Sequence, residues 1–257
     1  MNAATSGSTR ILIGASSFAD AAVALGLIEQ VMHDLQPRLG GMLVDETASL
    51  TVSAGPGQRI ISASGQVVLA PTPAQFSTLI DADARAFRNA LARLAGIAGA
   101  SWTFQRDIGD LIHKGLNTCA AVDILVFAHR QIHPVAGKVV VLSSPAPTDS
   151  NAMTMSRLLA RQLMADHLVM TTGAPGTGKA AGGDHPGTLD AALTRLARIN
   201  AQAVFVDLAS GPVRSPAQLR RLLDVARCPV FVFGTASAAR ILEHTTHIPP
   251  ASCQQTQ

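Results

Sequence analysis

The chain starts over at its midpoint. Arg10–Ser17 (RILIGASS) is a short aliphatic run that ends in small residues and leads into a helical pattern, and Lys138–Pro145 (KVVVLSSP) repeats that plan. Each copy later reaches a second aliphatic run, Val122–His129 (VDILVFAH) in the first half and Ala203–Ser210 (AVFVDLAS) in the second. A repeat of this kind predicts two tandem Rossmann-like α/β units with parallel sheets, the second one abbreviated. It also confines any ligand to crevices at the carboxyl ends of the strands.

Periodicity fills in the elements. Short apolar runs between turn residues read as buried parallel strands, and stripes at three- and four-residue steps read as helices. The first unit, 10–136, is predicted to hold strand 11–15, helix 18–36, strand 39–45, helix 73–98, strand 102–105, helix 110–120 and strand 122–129. Leu25, Ile28, Met32 and Leu35 form the stripe of the first helix, and Pro37 ends it. Residues 47–73 interrupt the alternation. They are rich in Ser, Thr, Gly and Pro and read as a long excursion with a small hairpin at 59–62 and 66–69.

The second unit, 137–245, is predicted to run strand 138–143, helix 150–165, strand 167–172, a Gly-rich loop 173–187, helix 188–199, strand 203–208, helix 216–226, strand 229–233 and a last helix over 234–244. It lacks a counterpart of the Trp102 strand. Residues 1–9 and 246–257 read as flexible ends.

Bulk properties narrow the function classes. Of 257 residues 47% are hydrophobic, yet there is one Trp and no Tyr, so the stacking platforms of a single-stranded nucleic-acid binder are lacking. The net charge is +3 with no basic run, which leaves nucleic acid an unexpected partner. Three unpaired cysteines, Cys119, Cys228 and Cys253, fit reduced thiols, the first two in the core. No signal-peptide pattern and no membrane-spanning run is read, so a cytoplasmic protein is expected.

Several segments together resemble one family. They are Met42–Glu46 (MLVDE), the Arg-rich helix ADARAFRNALARLAG at 82–96, Ser101–Gly109 (SWTFQRDIG), VDILVFAH, and the closing RLLDVARCPVFVFG at 221–234. In order and spacing they resemble the universal stress proteins, adenine-nucleotide-binding α/β domains, over about 10–245. The resemblance implies ATP or another adenine nucleotide as ligand and a stress-linked regulatory role. It also implies domain pairing, here internal, with self-association or a regulatory protein as partner.

The ATP-binding members carry an Asp at the end of the first strand and a G-x2-G-x9-G-[ST] motif after the fourth. Backbone amides beside those glycines and a helix N-terminus hold the phosphates. Here the first strand ends Gly14-Ala15-Ser16-Ser17, and neither HRQIHPVAGK after 122–129 nor ASGPVRSP after 203–208 contains the motif. Both phosphate loops read as lost. The expected function is therefore a non-catalytic module with weak or lost nucleotide binding.

Candidate contacts are Ser16, Asp45, His129 and Arg130 in the first unit, and Ser143, Ser144 and Lys179 in the second. Glu46, beside Asp45, reads as part of a solvated turn, and Ser16 and Asp20 as helix-start residues. Two motifs point elsewhere. Gly173–Lys179 (GAPGTGK) fits the P-loop pattern G-x4-G-K, with Asp207 as a Walker B candidate, and would make the chain an NTP-binding enzyme. Ala180 stands where the Mg²⁺-holding hydroxyl belongs, and AAGGDHPG follows where a helix should start. His129 and His133 have helical metal-ligand spacing but follow a strand and precede Pro134, so no metal is expected. A protein-interaction scaffold is the remaining alternative.

Overall fold

The computed structural model describes residues 9–35, 37–46, 59–61, 67–69, 73–119, 122–129, 137–144, 150–173 and 187–243. Within the first half the order is β1 (Arg10–Ala15), α1 (Phe18–Leu35), β2 (Arg38–Asp45), β3 (Arg59–Ile61), β4 (Val67–Leu69), α2 (Pro73–Ala98), β5 (Trp102–Ile108), α3 (Leu111–Thr118) and β6 (Ile124–Phe127). The second half continues with β7 (Lys138–Ser143), α4 (Asn151–Gln162), β8 (His167–Thr171), α5 (Leu189–Leu196), β9 (Ala201–Asp207), α6 (Pro216–Ala226), β10 (Val230–Phe233) and, after a 3-10 turn at Thr235–Ser237, α7 (Ala238–Glu243).

Strands β3 and β4 form the small antiparallel hairpin read from residues 59–69. The rest of the 47–73 excursion lies outside the described residues, as do most of the Gly-rich loop and the tail.

The other eight strands make one sheet, in the order β5-β2-β1-β6-β10-β9-β7-β8. Every neighbouring pair is parallel except β6 and β10, which run antiparallel. The fold is α/β with a mostly parallel sheet, as the repeat predicts, and the two halves share that sheet.

Burial explains the join. Strands β6 (ILVF) and β10 (VFVF) are apolar and buried at every position, the signature of strands covered on both faces. Left at the edge of a separate sheet, each would present an apolar, unpaired backbone to water. Each instead lies at the centre of the shared sheet. The true edges are β5 and β8, whose residues are largely exposed or half-buried. Taking β9 as the counterpart of β6, strand β10 has no equivalent in the first half and β5 none in the second. Each half is missing the strand that the other keeps.

Helices cover both faces. Helices α1, α2 and α4 pack on one through Leu25, Ile28, Phe87, Leu91, Met155 and Leu159, against Ile11, Ile13, Leu39, Leu43, Phe205 and Phe231. On the other face, Leu116, Leu193, Leu219, Leu222 and Ile241 of α3, α5, α6 and α7 meet Leu12, Leu125, Val204 and Val232. Each core spans both halves. Phe205 stacks on Phe231 across β9 and β10 with ring centroids 4.7 Å apart. Gly41 lets α2 approach β2: a Cβ there would lie 2.9 Å from Leu91 Cδ2.

Local chemistry starts the helices where polar residues precede apolar stripes. Asp110, Ser150, Thr188 and Ser215 each accept a hydrogen bond from the backbone amide three residues on, and Pro216 follows Ser215 inside α6. At α1 the opening residue is Ser17 rather than Ser16. Its Oγ accepts from the Asp20 amide at 3.2 Å and donates to the Asp20 carboxylate at 2.6 Å. Helix α1 ends at Leu35, two residues before Pro37.

Candidate functional site

Because β10 reverses direction against β6, the strands of the two halves point their carboxyl ends to opposite edges of the sheet. The first crevice therefore gathers Ser16, Asp45 and His129. Ser143 and Ser144 lie at the far edge, so the expected contacts form two groups and not one site. Arg130 and Lys179 lie outside the described residues, as do residues 174–180 of the P-loop look-alike.

In the first crevice the organising residue is Glu46, just past the end of β2. One carboxylate oxygen accepts from Ser16 Oγ at 2.8 Å, and the other from the backbone amide of Leu111 at 3.0 Å. Leu111 opens α3 directly after the Asp110 cap, so its amide has no acceptor inside the helix. A helix start carries a partial positive charge and favours an anion. Here the protein's own carboxylate is that anion. Glu46 is thus no solvated turn residue, and Ser16 donates to it. Gly109, with φ 130°, donates its amide to the Asp45 carbonyl at 3.0 Å and turns the chain from β5 into α3.

The rim is a chain of ion pairs. Arg106 lies 3.8 Å from Asp45 and 2.5 Å from Asp81; Lys114 lies 2.8 Å from Asp107. Arg220, reaching over from α6, pairs with Asp110. The Lys114 ammonium and the Ile108 amide hold Asp107 below the usual carboxylate range. Burial works to raise Asp110, but the amide and ring of His113 and the Arg220 guanidinium outweigh it and hold the group low. Asp45, Glu46, Asp107 and Asp110 stand around this mouth, and Arg106, Lys114 and Arg220 are each already engaged with one of them. His129 is half-buried just beyond β6, where the Ala128 amide donates to the Gly14 carbonyl at 2.8 Å.

At the second edge the polar groups also turn inward. Ser143 Oγ donates to the Ser144 carbonyl at 3.0 Å, and Thr172 Oγ1 to the Ser143 carbonyl at 3.3 Å. The Walker B candidate Asp207 accepts from the Ala209 amide at 2.8 Å and from Ser210 Oγ at 2.7 Å, so both its oxygens close its own turn. Gly234 fits against it in the left-handed region, φ 67°. A Cβ there would collide with Asp207 Oδ1.

One polar pair has no forewarning in the sequence. Ser156 on α4 is fully buried, with its hydroxyl 2.8 Å from His167 Nε2 on β8. Ser156 Oγ donates to the Met153 carbonyl at 2.8 Å, which assigns the proton of the second bond to His167. The hydroxyl is therefore not poised for deprotonation by the imidazole. Desolvation and the nearby Arg157 push His167 below its ordinary value. Burial pushes the Cys119 and Cys228 thiols up to about 11 and about 12, which keeps them protonated and unreactive, as core cysteines should be.

Among the described residues no group of three or more His, Cys, Asp or Glu side chains could hold a metal ion, and no helix is long and apolar enough to cross a membrane.

No family model and no curated protein matches the chain. Solved structures do. A universal stress protein from Archaeoglobus fulgidus DSM 4304 is similar at 10% identity and TM-score 0.45, over 87% of this chain and 95% of that one. A functionally unknown protein from Pseudomonas aeruginosa PAO1 is similar at 12% identity and TM-score 0.44, over 93% and 98%. Universal stress protein UspA from Lactobacillus plantarum is similar at 19% identity and TM-score 0.28, over 66% and 99%. The structures that the chain is similar to thus include the family its sequence resembles. The strand order and the two helical layers establish the α/β class by themselves.

Proposed function

We propose that the chain is a non-catalytic regulatory module of the universal-stress-protein type whose first nucleotide crevice is closed by its own Glu46. The bridge from Ser16 Oγ through the Glu46 carboxylate to the Leu111 amide carries this reading. Two donors that a phosphate could use, the Ser16 hydroxyl and the Leu111 amide, are already spent on a negative charge. Two like unit charges about 4 Å apart repel by roughly 4 kcal/mol at an effective dielectric of 20. Asp45, Asp107 and Asp110 hold the cations of this rim, Arg106, Lys114 and Arg220, in ion pairs.

The loss of the glycine motif after β6 supports the same reading from the sequence side. A phosphate-transferring role receives no help from the second crevice, where Asp207 is bound up in its own turn.

Thermal-shift titration of the whole chain with ATP, ADP, AMP and cyclic AMP, with and without Mg²⁺, tests the proposal. A ligand a hundredfold above its Kd stabilises by about 2.7 kcal/mol, a shift of a few degrees. The expected result is no saturable shift. Saturable stabilisation by any of the four, or Mg²⁺-dependent hydrolysis, would overturn it.

A further inference from the structure

We propose that the seam between the two halves holds a binding site for a small amphipathic carboxylic acid. A cavity of about 660 Å³ opens where the amino-terminal ends of β1, β2 and β6 meet the carboxyl end of β10 and the first turns of α4. That meeting exists only because β10 runs antiparallel to β6. The cavity is therefore neither of the two crevices, and its occupancy does not depend on the nucleotide reading.

Its size falls within the range of small-molecule sites. Ile124, Met155, Leu158 and Phe233 make an apolar wall, and the unbranched Met155 can adjust to an irregular ligand. Thr154 and Asn151 add polar groups from α4. Arg10, Arg38 and Asp123 complete the lining.

The charges set the ligand class. Asp123 is already engaged: its carboxylate takes the Arg10 amide at 2.8 Å and the Arg10 guanidinium at 3.5 Å. Arg38 stands beside Arg10 in the β1–β2 register, and no carboxylate pairs with it among the described residues. The lining thus carries one spare positive charge next to an apolar wall. A guanidinium fork matches a carboxylate in two parallel hydrogen bonds. One spare cation suits a monoanion and falls short of a polyphosphate. Arg10 and Arg38 also border a smaller hollow of about 400 Å³, which lacks the apolar side chains of α4.

Isothermal titration of the full chain with octanoate, octan-1-ol and inorganic phosphate tests the site, with octanoate below its micellar concentration. Octanoate is expected to bind once per chain, more tightly than octanol, while phosphate shows no saturable heat. Arg38→Gln, a change at an exposed position, is expected to weaken octanoate roughly tenfold or more and to leave octanol unchanged. Leu158→Trp fills the cavity from a half-buried position and is expected to abolish both. The proposal is overturned if octanoate fails to bind, if Arg38→Gln or Leu158→Trp binds it as well as the parent chain does, or if phosphate alone binds equally well.

Discussion

Glu46 concentrates at one residue what the first crevice has become. Its carboxylate satisfies a serine hydroxyl 30 residues earlier in the chain and a backbone amide 65 residues later, so no local pattern could announce the bridge. Glu46→Ala removes an acceptor from both donors and is expected to cost about 1–3 kcal/mol in denaturant unfolding. Glu46→Gln keeps one acceptor and gains a donor that Ser16 can accept, and should cost less. Equal losses from both would show that the charge, not the bridge, matters. His167 gives a pH signature. Its folded value lies below the ordinary 6.5, so the folded state favours the neutral ring. The contribution is complete above the unfolded value and is lost as pH falls through the depressed folded value. The melting temperature should therefore start to drop as pH falls below about 6.5, and less steeply in His167→Gln, whose amide can still donate to Ser156. Asp107 and Asp110 add a separate loss at lower pH, below the ordinary carboxylate range.

At the level of elements, the sequence speaks clearly where the burial pattern is extreme. Four-residue runs such as ILVF and VFVF declare buried strands, and Ser, Thr or Asp before an apolar stripe declares a helix start. Boundaries drift where local signals fade: β5 continues to Ile108, three residues past the expected end, because its edge pairing with β2 extends that far. The Ser156–His167 tie was illegible because a buried serine within a helix resembles any other helix-face serine. The strands also differ in what they bear. Phe231 is almost fully buried and stacked on Phe205, whereas Trp102 lies on edge strand β5 and is 36% exposed. Phe231→Ala is expected to cost about 3–5 kcal/mol and Trp102→Ala clearly less, measured by chemical denaturation. Similar losses would contradict the placement of β10 at the centre and β5 at the edge.

Across the whole molecule, the repeat announced two α/β units but not how they join. An apolar strand reads the same whether it pairs within its own half or across to the other, so the β6–β10 seam had no separate signature. The seam has a consequence for stability. Both cores draw on both halves, and the central strands belong one to each. Denaturation followed by Trp102 fluorescence, a reporter of the first half, and by far-UV circular dichroism should give coincident transitions. Two resolved transitions would indicate halves that fold separately. The same reversal of direction puts the two strand-end crevices at opposite edges of the sheet, so each would have to bind nucleotide without the other's help. The first has Glu46 at its helix start, and the second has Asp207 folded into its own turn. Isothermal titration of ATP into the intact chain, with and without Mg²⁺, tests that closed-crevice account most directly. The account predicts no saturable heat under either condition, and a saturable one-to-one isotherm for ATP would contradict it.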